Sequence, residues 1–207
     1  MFLVGPCYGS GVAGPRGEYR KSAERRAQIL DAAFTVFSRD GYTAGSVNEI
    51  ARVVGITQTG VLHHFAGGKP ALLQAVLEQR DARAELLLAD RTGREFLTGL
   101  VEISRSQESR RGLVQLYRRL AAEAVDATHP AHDYFATRFQ RIVDAVTDAF
   151  AEVAGQGGLR PGLDPRDAAL QAVAMTEGQE LLWLHGFKID LAAATEAFLD
   201  TLLVEPL

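Results

Sequence analysis

The sequence predicts an all-α protein. Apolar residues recur every three or four positions along most of the chain, and no segment alternates apolar and polar residues as a half-buried strand does. Glycine, proline and short polar residues interrupt this period and divide the chain into about nine helices. With 207 residues, the protein is long enough to bury a sizeable core in one or two domains.

A glycine-rich stretch precedes the first predicted helix. We expect residues 1–20 to form a flexible extension, because glycine and proline break its apolar run and no basic residue precedes that run as in an export signal. The first helix is predicted from Ser22 to Tyr42, with Gly41 at its end. Its apolar stripe at helical spacing consists of Leu30, Ala33, Phe34 and Phe37.

Two short helices separated by a glycine follow between Ser46 and Lys69. Ser46 and Thr57 are expected to cap these helices, and Gly55 lies where the chain must turn, since glycine adopts a positive φ at almost no cost. The inward face of the first short helix is predicted to consist of Val47, Ile50, Ala51 and Val54. This layout is typical of a helix-turn-helix, whose second helix lies in the DNA major groove.

The residues after the second cap have side chains that suit DNA. Gln58 can pair with adenine, and Thr59 can offer its hydroxyl to a base or its methyl group to thymine. Lys69, near the start of the next helix, is expected to face a phosphate. The predicted DNA-binding residues are Arg20, Lys21, Ser46, Val47, Thr57, Gln58, Thr59, Gly60, Leu62, His63, His64 and Lys69. The alternative is a buried helical hairpin that contacts no DNA.

The net charge of −4 is unusual for a DNA-binding protein until the chain is divided. Residues 16–69 hold eight basic and five acidic residues, whereas residues 70–207 hold 14 basic and 21 acidic residues. Positive potential is therefore predicted at the DNA-binding end. The basic cluster that leads into the first helix consists of Arg16, Arg20, Lys21, Arg25 and Arg26. This cluster either follows the DNA backbone or minor groove, or is an ordinary solvated helix start.

Three segments carry a resemblance to a known family: AAFTVFSRDGY (32–42), SVNEIARVVGITQTGVLHHF (46–65) and KPALLQAVL (69–77). In this order they resemble the N-terminal domain of the TetR family of bacterial transcriptional regulators. The resemblance implies a three-helix DNA-binding domain at residues 21–69 and a helical effector-binding and dimerisation domain at residues 70–207. It also implies a repressor that binds a palindromic operator as a homodimer and is released by a small molecule.

The chain departs from the family pattern in two places. Leu62 stands where the family usually has a tyrosine that contacts phosphate, and the Ala66–Gly68 link is one residue longer than usual. These departures keep a second function class open, which is a helical small-molecule-binding or scaffold protein that no longer reads DNA.

Helices are predicted throughout the rest of the chain. Pro70 is expected to begin a long helix that ends near Asp90, because the first turn of a helix does not use the N–H that proline lacks. Further helices are predicted at about residues 94–106, 113–126, 131–154, 165–186 and 191–203. The last two resemble the family's dimerisation pair, and their candidate contact residues are Ala172, Met175, Thr176, Gln179, Leu182, Trp183, Ala194, Phe198, Thr201 and Leu202.

The resemblance implies an effector pocket in the helical domain at residues 70–207, here called the body. Such pockets have an apolar lining with a few polar groups. The candidate lining consists of Phe96, Leu100, Ile103, Leu116, Tyr117, Leu120, Tyr134, Phe135, Phe139, Met175, Gln179 and Trp183. The polar candidates are Arg118, Glu123 and Arg138. The alternative is that most of these residues form ordinary core.

No catalytic, metal or cofactor site is predicted. The segment HPAHD (129–133) offers too few ligands for zinc, and helix capping explains its residues better. The sequence shows no phosphate loop, Ser-His-Asp order or dinucleotide fingerprint. Cys7 is the single cysteine, and no apolar run approaches the ~20 residues that span a bilayer, which together favour a cytoplasmic protein.

Overall fold

The computed structural model describes residues 15–207, apart from the side chains of residues 15–18, Arg80 and Arg83. This part of the chain folds into nine helices: α1 (Pro15–Ala44), α2 (Val47–Val54), α3 (Gln58–His64), α4 (Gly68–Leu88), α5 (Gly93–Glu108), α6 (Arg111–Glu123), α7 (His132–Gly155), α8 (Pro165–Leu184) and α9 (Leu191–Leu202). Leu159 and Leu203 form an isolated antiparallel bridge, and the described residues form no strand. The predicted all-α fold is confirmed.

The first helix begins earlier than the sequence pattern suggested. Residues 15–20, which we assigned to a flexible extension, form the first turns of α1, and the rest of that extension lies outside the described residues. Pro15 suits a first helical position, and Arg20 and Glu24 form an ion pair of 3.4 Å one turn apart. The helical run is broken at Gly41 (φ 77°), as predicted.

The other helix boundaries lie within three residues of the predicted ones. The largest difference is at the end of α6, where the N–H groups of Val125 and Asp126 bond to carbonyls three residues back, so the chain tightens into a turn. Helix α4 begins at Gly68 rather than at Pro70. The proline still lies in the first turn, where its missing N–H removes no helical hydrogen bond.

Two hydrophobic clusters fill the part of the protein that the structure describes. The first, here called the head cluster, is built by α1 to α4, α6 and the start of α7; its large buried side chains include Phe37, Ile50, Val61, Leu73 and Tyr117. The second, here called the body cluster, is built by α5, α7, α8 and α9; it includes Leu97, Val146, Phe150, Ala168 and Leu199. Because α6 packs into the head cluster, one continuous core crosses the predicted domain boundary after residue 69, and that boundary stays a prediction.

A polar group of three buried residues and the half-buried Tyr134 joins α4, α6 and α7. We call it the Asp81 cluster (Asp81, Tyr117, Tyr134 and Arg138). The Tyr134 hydroxyl and the Arg138 Nε donate to the Asp81 carboxylate at 2.5 and 3.1 Å. The Tyr117 hydroxyl donates to the carbonyl of Leu77 on α4 at 2.9 Å and lies 2.8 Å from the Tyr134 hydroxyl. Burial, followed by the neighbouring Tyr117, raises the pKa of Tyr134, so that this hydroxyl stays a donor to Asp81.

Removing one hydroxyl from the Asp81 cluster should destabilise the protein. Tyr117→Phe should lower the free energy of unfolding by about 1–2 kcal/mol, because the buried Leu77 carbonyl loses this donor. Tyr19→Phe is the matched control, since Tyr19 is 79% exposed. Urea denaturation followed by circular dichroism measures both variants. Equal midpoints for wild type and Tyr117→Phe would show that the Tyr117 hydroxyl contributes nothing to stability.

Candidate functional sites: the helix-turn-helix and a cavity in the body

Glycine fixes the turn between α2 and α3. Gly55 has φ 74° and ψ 35°, and its N–H bonds to the Arg52 carbonyl at 3.2 Å. The next N–H, from Ile56, bonds to the Ala51 carbonyl at 3.0 Å. These two bonds form a Schellman motif, in which a residue with left-handed φ and ψ ends a right-handed helix. An added Cβ at Gly55 would meet no atom within 4 Å, so the positive φ rather than a lack of space requires glycine here.

Both short helices carry the predicted caps. The Ser46 hydroxyl accepts from the N–H of Glu49 at 3.1 Å, and the Thr57 hydroxyl accepts from the N–H of Gly60 at 3.1 Å. On the inward face of α2, Ile50 and Ala51 are buried. Val47 and Val54 are half-buried against the head cluster. The local part of the sequence prediction is therefore confirmed.

Helix α3 divides cleanly into an inner and an outer face. Val61 and the following Phe65 are buried in the head cluster. The outer face consists of the exposed residues Gln58, Thr59, Leu62 and His63 and the half-buried residues Gly60 and His64. This outer face holds side chains that we predicted to meet DNA, whereas Val61 on the inner face shares its cluster with residues of α1, α2 and α4.

Arg26 holds the end of α3 in place, a function that sequence reasoning missed. Its Nη1 donates to the carbonyl of His64 at 2.8 Å, and its guanidinium lies 4.0 Å from the centre of the Phe65 ring. We had grouped Arg26 with the cations that could follow DNA. The contact joins residues 38 positions apart, so no local pattern indicates it. Arg20 and Lys21, from the same group, remain exposed.

Lys69 is not a free cation in this structure. Its Nζ donates to the carbonyl of Thr43 at 3.1 Å and lies 4.4 Å from the centre of the Tyr42 ring. Burial lowers the pKa of Lys69. The ammonium thus closes the end of α1 against α4, instead of pointing outward as we expected. A phosphate contact by Lys69 stays a prediction.

Acidic partners reduce the positive charge of residues 21–69, here called the head. Arg39 pairs with Asp40 at 2.7 Å, and Arg52 pairs with Glu49 at 2.8 Å. The hydrogen bond from Arg52 is the largest cause that lowers the pKa of Glu49, to about 2. The positive potential predicted from residue counts therefore depends on the remaining cations of the head, such as Lys21 and Arg25.

The body contains a cavity of about 370 Å³ between α4, α5, α7 and α8. Of the twelve predicted lining residues, Phe96, Leu100 and Ile103 on α5 line it. Apolar residues from other helices complete the wall; they are Ala84, Leu88, Ala89, Ile142, Ala145, Val146, Ala172 and Val173. Sequence reasoning missed them because an apolar residue at helical spacing predicts burial but not whether the neighbour is protein or empty space.

The other predicted lining residues lie elsewhere. Leu116, Tyr117, Leu120 and Phe135 are buried in the head cluster, against which Tyr134 and Phe139 pack. Gln179 is buried between α8 and α9, where its Nε2 donates to the Thr195 hydroxyl at 2.6 Å. Trp183 lies under the guanidinium of Arg111 at 4.7 Å, and Met175 is half-buried on α8 outside the cavity wall. Most of this list therefore packs against other parts of the protein and not on the cavity.

The cavity wall also carries charged residues. Asp81 and Glu85 come from α4, Arg138 and Arg141 from α7, and Glu177 and Glu180 from α8. Arg118 reaches the last two from α6; it pairs with Glu177 and lies 3.2 Å from Glu180. Of the three predicted polar candidates, Arg138 lines the cavity, Arg118 supports its wall, and Glu123 pairs with Arg119 away from it.

Comparisons with known proteins agree with this geometry. The family described as bacterial regulatory proteins, tetR family, matches residues 29–76. The HTH-type transcriptional repressor KstR2 of Mycolicibacterium smegmatis is 30% identical over 147 residues, which are 69% of this chain and 71% of KstR2. The chain belongs to the TetR family. It is therefore a DNA-binding transcriptional regulator.

Solved structures of the TetR family share the fold. A TetR-family regulator from Agrobacterium tumefaciens superposes with a TM-score of 0.74 at 22% identity, covering 88% of this chain and all of that one. SmeT, the repressor of a Stenotrophomonas maltophilia multidrug efflux pump, has been solved in complex with triclosan. That complex superposes with a TM-score of 0.66 at 20% identity, covering 86% of this chain and 89% of SmeT.

The last two helices of this TetR-family chain expose an apolar face, but not the one we predicted. Ala172, Gln179 and Leu202 are buried within the protomer, Thr176 lines the cavity and Phe198 packs on the body cluster. The exposed apolar or small residues that form the outer face of α8 and α9 are instead Leu170, Ala174, Gly178, Leu181, Leu182, Ala193, Ala197 and Thr201. Gln171 and Glu196 are exposed on the same two helices. Of the predicted contact residues, Leu182 and Thr201 belong to this face.

The HPAHD segment bonds to the backbone between α6 and α7. The His129 Nδ1 accepts from the N–H of Ala131 at 3.2 Å, and the His132 Nδ1 lies 2.9 Å from the Ala124 carbonyl. Within residues 15–207, no three metal-ligating side chains are grouped for an ion. In the same part of the chain, every helix is too short or too polar to cross a bilayer.

Loss of the Arg26 contact should loosen α3. Arg26→Met should lower the free energy of unfolding by about 1 kcal/mol, because the exposed carbonyl of His64 and the Phe65 ring lose a charged partner. Arg20→Met is the control that removes the same charge from α1; its partner Glu24 is exposed, so the loss should be near zero. Thermal unfolding compares the variants, and equal losses would mean that only charge matters.

Proposed function

We propose that this TetR-family protein is a homodimeric repressor that binds a pseudo-palindromic operator and leaves it when a small molecule occupies the body cavity. The observation that carries the proposal is the arrangement of α2 and α3. Both helices are capped by side chains, Gly55 fixes their turn, and the polar outer face of α3 is left for a partner. The name of KstR2 as a repressor supports repression over activation.

Base reading falls to the exposed start of α3. Gln58 suits the N6 and N7 edge of adenine, and the Thr59 methyl group suits thymine. Leu62 is 36% exposed on the same face, where it offers an apolar contact in place of the tyrosine implied by the family resemblance.

Residues 21–69 would supply the DNA contacts, and residues 70–207 the effector site and the dimer contact. Because the operator belongs to the bacterial chromosome, we place this work in the cytoplasm.

Dimerisation uses the outer face of α8 and α9. Leu170, Leu181 and Leu182 are each nearly half exposed, at 47%, 49% and 47%. An added Cβ at Gly178 would meet nothing within 4 Å, so the fold of one protomer does not require glycine inside this helix. A mid-helix glycine costs about 0.5–1 kcal/mol relative to alanine, and close approach of a second backbone offsets that cost. A twofold dimer would bury this face against its own copy.

The effector acts through α4. This helix begins beside the head at Gly68 and supplies Asp81 and Leu88 to the cavity wall 13 and 20 residues later. No glycine or proline interrupts it after Pro70, so displacement at the cavity reaches the head. The triclosan complex of SmeT supports a small-molecule site in this fold. A coupling of ~1–3 kcal/mol would weaken operator binding by roughly 5- to 150-fold.

Base reading by α3 is tested by substitution. Gln58→Ala and Thr59→Ala should each reduce discrimination between the operator and random DNA by roughly 1–3 kcal/mol, because a base contact is lost. Gln140→Ala, an exposed glutamine on α7, is the matched control and should change nothing. Fluorescence anisotropy at physiological salt measures the affinities. If wild type binds random and operator DNA equally, the protein has lost sequence reading.

The dimer face is tested by placing a charge on it. Leu181→Glu should yield monomers and lower operator affinity by about 10²-fold or more, because one head binds only one half-site. Leu86→Glu places the same charge at an exposed leucine on α4 and should leave a dimer. Sedimentation velocity gives the oligomeric state. A Leu181→Glu dimer with full operator affinity would exclude this face as the interface.

A further inference from the structure

Two buried polar atoms in the cavity wall have no hydrogen-bond partner. Gln107 is 7% exposed, and its Oε1 is unpaired. Arg138 is 8% exposed; its Nε donates to Asp81, but its Nη1 is unpaired. Buried polar groups in folded proteins are nearly always bonded. The cavity therefore offers one acceptor and one charged donor to a molecule that enters it.

The packing of α5 on α7 places Gln107 and Arg138 at matching positions along the two helix axes. A Cβ built on Gly93, at the start of α5, would lie 2.9 Å from the carboxylate of Glu152, near the end of α7, so the two helices run antiparallel. Gln107 lies 14 residues after Gly93, and Arg138 lies 14 residues before Glu152. Since both helices rise ~1.5 Å per residue, the two side chains reach the cavity from facing helices at matching positions.

The charges around the cavity favour a neutral ligand. Arg138 and Arg141 lie beside Asp81, and Arg141 also approaches Glu85. Arg118 compensates Glu177 and Glu180 from behind. The four carboxylates and three guanidiniums leave a formal charge of −1, which opposes an anion. A cation would compete with guanidiniums that are already in place, and it could not accept from Arg138.

We propose that the effector is a neutral, mostly apolar molecule with one polar end, such as a phenol, whose oxygen accepts from Arg138 and whose hydroxyl donates to Gln107. The apolar body would lie against Phe96, Leu100, Ile103, Ile142 and Val146. This inference rests on the proposed effector site and specifies its ligand class. It also gives Arg138 a second partner besides Asp81, which links the ligand to the buried cluster on α4.

A set of five probes that share one skeleton tests the ligand class. 4-Propylphenol donates and accepts, 4-propylanisole accepts only, and propylbenzene does neither; 4-propylbenzoate is an anion and 4-propylbenzylammonium a cation. Calorimetric titration of the full-length wild type should rank the phenol above the anisole and the anisole above propylbenzene. Each step should be about five- to tenfold, as for one net hydrogen bond. Both ions should bind more weakly than the phenol.

Three variants assign the two steps to residues. Gln107→Leu should abolish the advantage of the phenol over the anisole. Arg138→Lys keeps a cation beside Asp81 but lacks the second nitrogen, so it should abolish the advantage of the anisole over propylbenzene. Arg166→Lys makes the same change outside the cavity, on a side chain that is 52% exposed and pairs with Asp144, and it should leave the ranking intact. Circular dichroism checks that each variant folds. If a variant does not fold, the ranking of the probes on wild type still tests the ligand class.

Several outcomes would overturn the inference. Tightest binding of either ion, equal affinity of the three neutral probes, or no binding of any probe would each exclude the proposed ligand class. Titration of operator DNA in parallel separates this inference from the proposed function. If 4-propylphenol binds with the expected ranking but leaves operator affinity unchanged, the ligand class stands and regulation fails. If only an ion releases the operator, regulation stands and the ligand class fails.

Discussion

The buried carboxylate of Asp81 connects α4, which begins beside the DNA-binding helices, to α7 in the wall of the cavity. It is buried on α4, and it is held by Tyr134, Arg138 and the more distant Arg141 of α7. A buried ion pair contributes little net stability, but loss of one partner leaves an uncompensated charge that costs about 3–5 kcal/mol. The geometry of α4 relative to α7 is therefore tightly specified. Because α4 begins beside the DNA-binding helices α2 and α3, the proposed regulation would act through the compensation of this one charge.

In the proposed repressor, this constraint would give a ligand in the cavity a means of changing DNA binding. A ligand shifts an equilibrium only by binding one shape better than another. Arg138 faces both Asp81 and the cavity, so a ligand that bonds to Arg138 changes the compensation of Asp81 as well as filling space. Arg26 and Lys69 complete the path at the other end, since Arg26 fixes the end of α3 and Lys69 fixes α4 against the carbonyl of Thr43. These two contacts tie the end of α3 and the start of α4 to the same helix, α1.

Local chemistry made part of this structure predictable. The caps at Ser46 and Thr57 and the turn at Gly55 depend on neighbouring residues alone, and the sequence pattern located all three. Long-range contacts could not be predicted in this way. Helical period marks Tyr117 as buried, but only the packed structure shows that it lies in the head cluster and not in the cavity wall. The position of the Lys69 ammonium could not be predicted either, because its partner Thr43 is 26 residues away and on another helix.

Helix α8 shows why the dimer contact was the hardest part to predict. Its period contains three apolar or small-residue faces, and the sequence does not say which neighbour each one meets. One face packs on the body cluster through Ala168 and Ala169, a second lines the cavity through Val173 and Thr176, and the third is exposed at Gly178 and Leu181. The cavity and the proposed dimer contact thus lie on different faces of one helix. In the proposed dimer, a ligand that displaces α8 would move the dimer contact along with α4, and the spacing of the two DNA-binding domains would then depend on the cavity through both helices.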